Sequence, residues 1–398
     1  MHRHMPSQIA NFRFNNQLRP SNPLLIVTTR LKYHMTPANQ YIPVAGIWNR
    51  YFCSKCRLSS LAWILLIEAR NLHLNSLGIQ RRHLPAIFKS IIRHRKHSQP
   101  GAVDTLTLPA RGHLCMRVHR GHKVFNFSEL TTTKIFDHET DAAAVSSEIQ
   151  SVHDAASLDF TPTLLEVDPQ NRWYTETFIP GKQSSKRKQS DPTSLYDSVI
   201  VDHLCKIILC KPVRNIELAE YLDEIRNLIM QQLTDTYFDD EFSTHVHDFV
   251  CRIAARLEAS ESAPIHLTFT HGDFSFVNFL QTNSGIAVLD WESAQHRSML
   301  NDLYNYFLTE LYYKRTRSNL LTEINDAILS LSQRLASKAP ELAGDAVNLK
   351  DVYRWLYYLE RMHVLLDRKP SANQVTVILR SMDVFDKHES LASSPHSA

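Results

Sequence analysis

The chain has 398 residues, 43% hydrophobic and 21% charged. This is close to the globular average and excludes a wholly disordered or collagen-like polypeptide. Six cysteines are too few for a disulfide scaffold and point to a reducing, cytoplasmic setting. The longest unbroken apolar run, Leu61 to Ile67, is far short of the ~20 residues of a membrane span, and no secretory signal pattern is found.

The net charge of +3 conceals an asymmetry: Met1 to Pro100 carries 15 Lys and Arg against the single acid Glu68, and the remainder is acidic. Residues 1–99 therefore read as a basic N-terminal extension. Its first half, Met1 to Arg50, lacks a sustained period and is expected to be largely irregular. Leu58 to Leu77 has a helix-like density of Leu, Ala and Ile, and Pro85 to His97 reads as a basic amphipathic helix with Ile87, Ile91 and Ile92 on one stripe. Such a helix suits nucleic acid or an anionic membrane, but a solvated extension is the commoner outcome for a charge run. Cys53 and Cys56 form one CxxC without the second pair that a zinc site needs.

From Gly112 the texture changes to β-rich runs: His113 to Val118, His122 to Phe127 and Thr131 to Phe136, the first two joined by a turn at Arg120-Gly121. A helix over Asp141 to Val152 follows, then strands at Thr163 to Val167 and Arg172 to Ile179. The order β-β-β-α-β-β over 100–181 defines a small α+β lobe. Lys182 to Thr193 is polar and reads as a connection. Residues 182–388 are mainly helical, over Leu195–Cys210, Ile216–Leu233, Ser243–Leu257, Asp302–Arg315, Leu320–Ala336 and Val352–Leu366, with a β interruption from His266 to Trp291. The tail from Glu389 is expected to be disordered.

The specific chemistry converges on His271 to Asp290, HGDFSFVNFLQTNSGIAVLD. Phe279–Gln281 and Ile286–Leu289 read as two short strands joined by the turn Thr282-Asn283-Ser284-Gly285. An antiparallel hairpin brings Asn278 and Asp290 to its open end, about 5 Å apart by cross-strand geometry. A carboxylate and an amide oxygen side by side suit Mg²⁺, which takes few protein ligands and completes its shell with water and phosphate. Asp273, in the entering loop, can accept a proton from an attacking hydroxyl.

The pattern His271-Gly272-Asp273-x-x-x-x-Asn278, followed by Asp290-Trp291-Glu292, resembles the catalytic loop and metal aspartate of the aminoglycoside phosphotransferase family, the small-molecule branch of the protein-kinase-like fold. The resemblance, covering about Gly112 to Leu366, implies a bilobal α+β protein that uses ATP and Mg²⁺. It implies Asp273 as base, Asn278 and Asp290 as Mg²⁺ ligands, and His271 and Asp302 as structural supports of the loop. Lys134 lies on the third strand run. Val145, Ile149 and Val152 form an inward stripe, and Glu148 falls on the same face, where it needs a cation. Lys134 is the obvious one, and the pair would orient Lys134 toward nucleotide phosphates. Tyr174 to Gly181 resembles the interlobe hinge, with backbone groups near Thr175 to Phe178, Glu176 and Phe178 among them, holding the adenine.

The chain departs from the kinase pattern in two places. No glycine-rich loop is present, since His119 to Lys123 holds only Gly121, and Ser275 stands where protein kinases carry lysine. The expected function is transfer of the ATP γ-phosphate to a hydroxyl of a small molecule or sugar. Two alternatives stay open. Tyr353, Trp355, Tyr357 and Tyr358 could form a box for a choline- or ethanolamine-type acceptor, although such helices more often pack their aromatics in the core. The other is a non-catalytic nucleotide-binding scaffold whose basic N-terminal arm is the working surface. The acidic stretch Asp235 to Glu241 reads as a solvated face.

Overall fold

A computed structural model describes residues 39–43, 50–53, 84–96, 106–183, 194–235, 238–259, 264–312, 320–367 and 372–392. The N-terminal lobe is an eight-stranded antiparallel sheet. Its strands are β1 (Asn39–Pro43), β2 (Arg50–Cys53), β3 (Leu106–Leu108), β4 (Leu114–Val118), β5 (Gly121–Asn126), β6 (Thr131–Phe136), β7 (Leu164–Asp168) and β8 (Trp173–Thr177). The spatial order is β3-β1-β2-β4-β5-β6-β8-β7. The strands expected from Gly112 onward all form. At the β4–β5 turn Arg120 takes a left-handed φ of 59°. A Cβ on Gly121 would lie 2.1 Å from the Ile135 carbonyl oxygen of β6, so this close approach admits only glycine.

The sheet begins earlier in the chain than the sequence suggests. Met1 to Arg50 is expected to be irregular, yet Asn39–Pro43 pairs with β2 and β3, and β2 pairs with β4. Tyr41 and Phe52 are fully buried, and the Tyr41 hydroxyl donates to the Ala110 carbonyl at 2.9 Å. Each such burial is worth roughly 1.5–3 kcal/mol relative to an exposed side chain, which recruits a segment too short to show a period. The boundary placed at residue 99 therefore cuts through the sheet. The basic helix is observed as α1 (Leu84–Lys96), with Ile87 buried and Ile92 40% exposed. Leu58 to Leu77 and Cys56 lie outside the described residues. Cys53 is buried, and no cluster of three or more metal-binding side chains occurs among the described residues.

Helix α2 (Ala142–Ala155) starts at Asp141, whose carboxylate accepts the N–H groups of Ala143 and Ala144, a typical N-cap. It buries Val145, Glu148, Ile149 and Val152. The C-terminal lobe is built of α3 (Ser194–Leu209), α4 (Leu218–Asp235), α5 (Asp240–Glu258), α6 (Asn301–Tyr312), α7 (Leu320–Ala336), α8 (Pro340–Asn348), α9 (Lys350–Leu366) and α10 (Ala372–Ala392). Two small sheets, β10 (Arg214–Glu217), β11 (Pro264–Thr270) and β14 (Gln295–Ser298), and β9 (Lys182–Gln183), β12 (Phe279–Thr282) and β13 (Gly285–Val288), interrupt the helices.

Helix α9 runs through the core with Tyr353, Leu356, Tyr358, Leu359 and Met362 fully buried. Its buried Glu360 accepts from the Ser298 N–H and hydroxyl, the Asn301 amide and the Tyr221 hydroxyl, all at 2.6–2.7 Å. Four donors satisfy one buried carboxylate and fix α9 to the start of α6. The disorder expected from Glu389 does not hold for Glu389 to Ala392, which are helical. Helix α10 runs through Ala392, because Glu389 is drawn into the core by the Tyr358 hydroxyl at 3.0 Å and the Trp355 indole at 3.2 Å. Among the described residues no helix is long and apolar enough to cross a membrane.

Candidate active site

Strand β11 delivers the chain into the His271–Asn278 loop. There Asp302, at the first turn of α6, accepts the backbone N–H of His271 at 2.6 Å and that of Gly272 at 2.9 Å. Gly272 has φ +79°, and an added Cβ would lie 2.4 Å from the buried Arg297 guanidinium and 2.6 Å from the Ser293 carbonyl oxygen. The loop thus needs glycine for both conformation and space. The His271 imidazole donates from Nε2 to the Leu289 carbonyl at 2.8 Å and accepts the Asp273 N–H at Nδ1, 3.2 Å away, which sets its tautomer. Trp291 covers this ring at 4.6 Å between centroids and stacks on Phe269.

Asp273 is part-buried and receives three contacts. The Asn278 amide nitrogen donates to its carbonyl at 2.9 Å and its carboxylate at 3.2 Å, and Arg361 of α9 lies 3.3 Å from the other carboxylate oxygen. Beside it opens a cavity of about 230 Å³ walled by Ser275, Val277, Thr309, Tyr357 and Arg361 among others. The hairpin β12–β13 forms with its turn at Asn283-Ser284, and the Leu289 N–H donates to the Asn278 carbonyl at 2.9 Å. Asn278 and Asp290 consequently flank one end of the hairpin. Asp290 adopts a left-handed backbone, φ 70° and ψ 56°, a strained geometry that Asp tolerates better than most residues.

Opposite this end lies the lower face of the N-lobe sheet. Lys134 is completely buried, with its ammonium 2.5 Å from Glu148 and 2.7 Å from Glu292. The Tyr174 hydroxyl is a further neighbour of Glu148, at 3.4 Å. Helix α2 is held to the Trp291–Ser293 turn through the Ser151 hydroxyl, which donates to the Ala294 carbonyl at 2.6 Å. Lys123, on β5, is 2.7 Å from Asp290. The Lys123 ammonium beside Asp290 pulls its carboxyl down to about 2, against the opposing effect of burial. Burial works against the charge of Lys123, yet Asp290, Glu176 and Glu292 reverse this and raise its pKa.

Glu176 faces the same cluster from β8. Burial pushes its carboxyl up to about 7, with Lys123 pulling the other way. Phe178 lies in an aromatic group with Phe125 and Phe127. Its backbone N–H is already bonded to the Leu130 carbonyl at 2.7 Å, and that of Thr177 to Thr163 at 2.9 Å. Neither amide is available to an adenine, so the hinge expectation does not hold for these two donors: both are consumed in extending the sheet.

Contacts thus link Lys134, Glu148, Glu176, Asp290, Asn278 and Asp273 into one continuous cluster, with His271 and Asp302 beneath the loop. Sequence reasoning missed Lys123, Glu292 and Arg361. Glu292 carries a readable signal, standing two residues after Asp290, whereas Lys123 emerges only once the β5–β6 register sets it directly opposite Lys134. Arg361 carries none, since only the packing of α9 brings it to Asp273.

A sequence profile described as "Phosphotransferase enzyme family" matches residues 137–337, just over half of the chain. The chain belongs to this family, and its architecture is α+β, with a β-rich N-lobe and a helical C-lobe. No curated protein sequence matches the chain. Among solved structures it is similar to a choline kinase from Streptococcus pneumoniae, at 15% identity and TM-score 0.44, covering 68% of this chain and 90% of that one. A choline kinase from Cryptosporidium parvum gives 14% and 0.46, covering 70% and 89%. An ethanolamine kinase from Plasmodium vivax gives 13% and 0.44, covering 79% and 89%.

Proposed function

We propose that the protein is an ATP-dependent phosphotransferase that moves the γ-phosphoryl group to a hydroxyl of a small molecule or sugar. The observation that carries this reading is the cluster itself. A part-buried carboxylate, Asp273, borders a small-molecule-sized cavity on one side. On the other lie a hairpin end with two hard oxygen donors and a fully buried lysine oriented by two glutamates.

Asp273 takes the proton of the acceptor hydroxyl. The acceptor oxygen bonds to the γ-phosphorus as the bond to the β–γ bridging oxygen breaks, and ADP leaves. Lys134, held by Glu148 and Glu292, positions the nucleotide phosphates. The Asn278 amide nitrogen is committed to Asp273, which leaves its amide oxygen, with the Asp290 carboxylate, as a donor set suited to Mg²⁺. When bound there, Mg²⁺ supplies charge neutralisation for the phosphates. The residues of the chain contribute mainly orientation, as expected for phosphoryl transfer.

The aromatic box of an amino-alcohol kinase gains little support. Tyr353 and Tyr358 are fully buried, Trp355 donates to Glu389, and of the four aromatics only Tyr357 borders the cavity. The test is ADP release with Mg²⁺-ATP across amino alcohols, aminoglycosides, monosaccharides and nucleosides. One acceptor is expected to drive turnover, and Asp273→Asn is expected to lower it by about 10²-fold or more with nucleotide affinity retained. Equal rates for both proteins with that acceptor would overturn the role of Asp273.

A further inference from the structure

The register of β5 against β6 sets Lys123 directly opposite Lys134, so both side chains project from the same face of the sheet. Like charges in such positions repel, and here they also lie in a largely buried site, with Lys123 15% exposed and Lys134 not at all. The arrangement persists because the two ammonium groups have separate carboxylates. Lys134 is held by Glu148 and Glu292, Lys123 by Asp290. Lys134 therefore does not need Asp290, and Lys123 is not a spare copy of it.

The Asp290 contact has a chemical cost for the proposed reaction. An oxygen 2.7 Å from an ammonium has that lone-pair direction filled, so a divalent cation taking the same oxygen displaces Lys123, and one on the other carboxylate oxygen lies close enough to the ammonium to be repelled by it. A displaced, partly buried ammonium needs another anion. The nucleotide phosphates are the group that would arrive together with the cation. The turn above the site, His119-Arg120, is not the glycine-rich loop whose backbone amides cover phosphates in kinases, so cover from a side chain on β5 fills a gap in this chain.

We propose that Lys123 is a second phosphate-positioning residue, which neutralises Asp290 in the nucleotide-free protein and exchanges that carboxylate for the phosphates of a nucleoside triphosphate when a divalent cation takes Asp290. The exchange leaves every charged group paired before and after. It makes cation and nucleotide bind with positive coupling, because each pays for the displacement that the other requires. The proposal rests on the phosphotransferase reading given above.

The test measures binding rather than turnover. Mn²⁺ alone, followed by the electron paramagnetic resonance of the free ion, and Mg²⁺-ATP, followed by calorimetry, are titrated into wild type, Lys123→Met and Lys123→Arg. In Lys123→Met, Mn²⁺ is expected to bind about tenfold tighter and Mg²⁺-ATP about tenfold weaker; Lys123→Arg should keep the wild-type order. Opposite signs are the signature, since a merely structural lysine would weaken both on removal. Unchanged affinities in Lys123→Met, or losses in both, would overturn the proposal while wild type still binds Mg²⁺-ATP. Failure of wild type to bind Mg²⁺-ATP would instead remove the phosphotransferase reading and this proposal with it.

Discussion

His271 and Leu289 are joined through a 2.8 Å hydrogen bond from the imidazole Nε2 to the backbone carbonyl. The other ring nitrogen accepts the N–H of Asp273 at 3.2 Å. One ring therefore spaces the loop that bears Asp273 from the turn that bears Asp290. His271→Leu leaves a carbonyl and an amide without these partners, each costing roughly 1–3 kcal/mol, so a loss of about 3 kcal/mol in urea unfolding is expected. His271→Gln retains a donor and should lose less. Equal losses in the two variants would sink the spacer role.

The ion-pair geometry around Lys134 predicts an order of effects. Lys134→Met strands Glu148 and Glu292 together, and removing one partner of a buried pair typically costs about 3–5 kcal/mol. Glu148→Gln leaves Lys134 with Glu292, 2.7 Å away, and is expected to cost less than half as much. Urea midpoints of the two variants give the comparison, and a Glu148→Gln loss as large as that of Lys134→Met would refute it.

Glu176 supplies a pH dependence. Its carboxyl rises from 4.5 to about 7 in the folded protein. Between those values the folded state keeps a proton that the unfolded chain has released, so this group's contribution to stability falls as pH rises from about 4.5 through 7. Glu176→Gln removes that decline. The melting temperature of the variant relative to wild type should therefore climb between pH 5 and pH 8. Parallel melting curves across that range would show that Glu176 does not titrate there.

The elements that can be read from the chain are those whose signal is local. Strands β4 to β8 carry β-rich runs bounded by turns, α2 carries a period with a capping Asp141, and the hairpin carries its own turn sequence. Glu148 is legible because its place on an apolar stripe demands a cation. Asn39–Pro43 is not, since its strand character arises from Tyr41 being enclosed by partners distant in sequence. Helix α10 is similarly hidden, because Glu389 enters the core only through residues of α9. The phosphate-side cation Lys123 needs the register between two strands, and Arg361 needs the helix packing, neither of which composition or spacing contains.

The addition of β1, β2 and β3 beyond β4 bears on how the enzyme can be shortened. In a five-stranded version starting at β4, the backbone groups of residues 114–116 that now bond to β2 would face solvent as an open strand edge, a template for association between molecules. That strand neighbours β5, which bears Lys123, so fraying would begin one strand away from the cluster of Lys123, Lys134 and Asp290. The basic N-terminal segment thus acts in part as a selvedge, the woven border that keeps the sheet from unravelling or joining another.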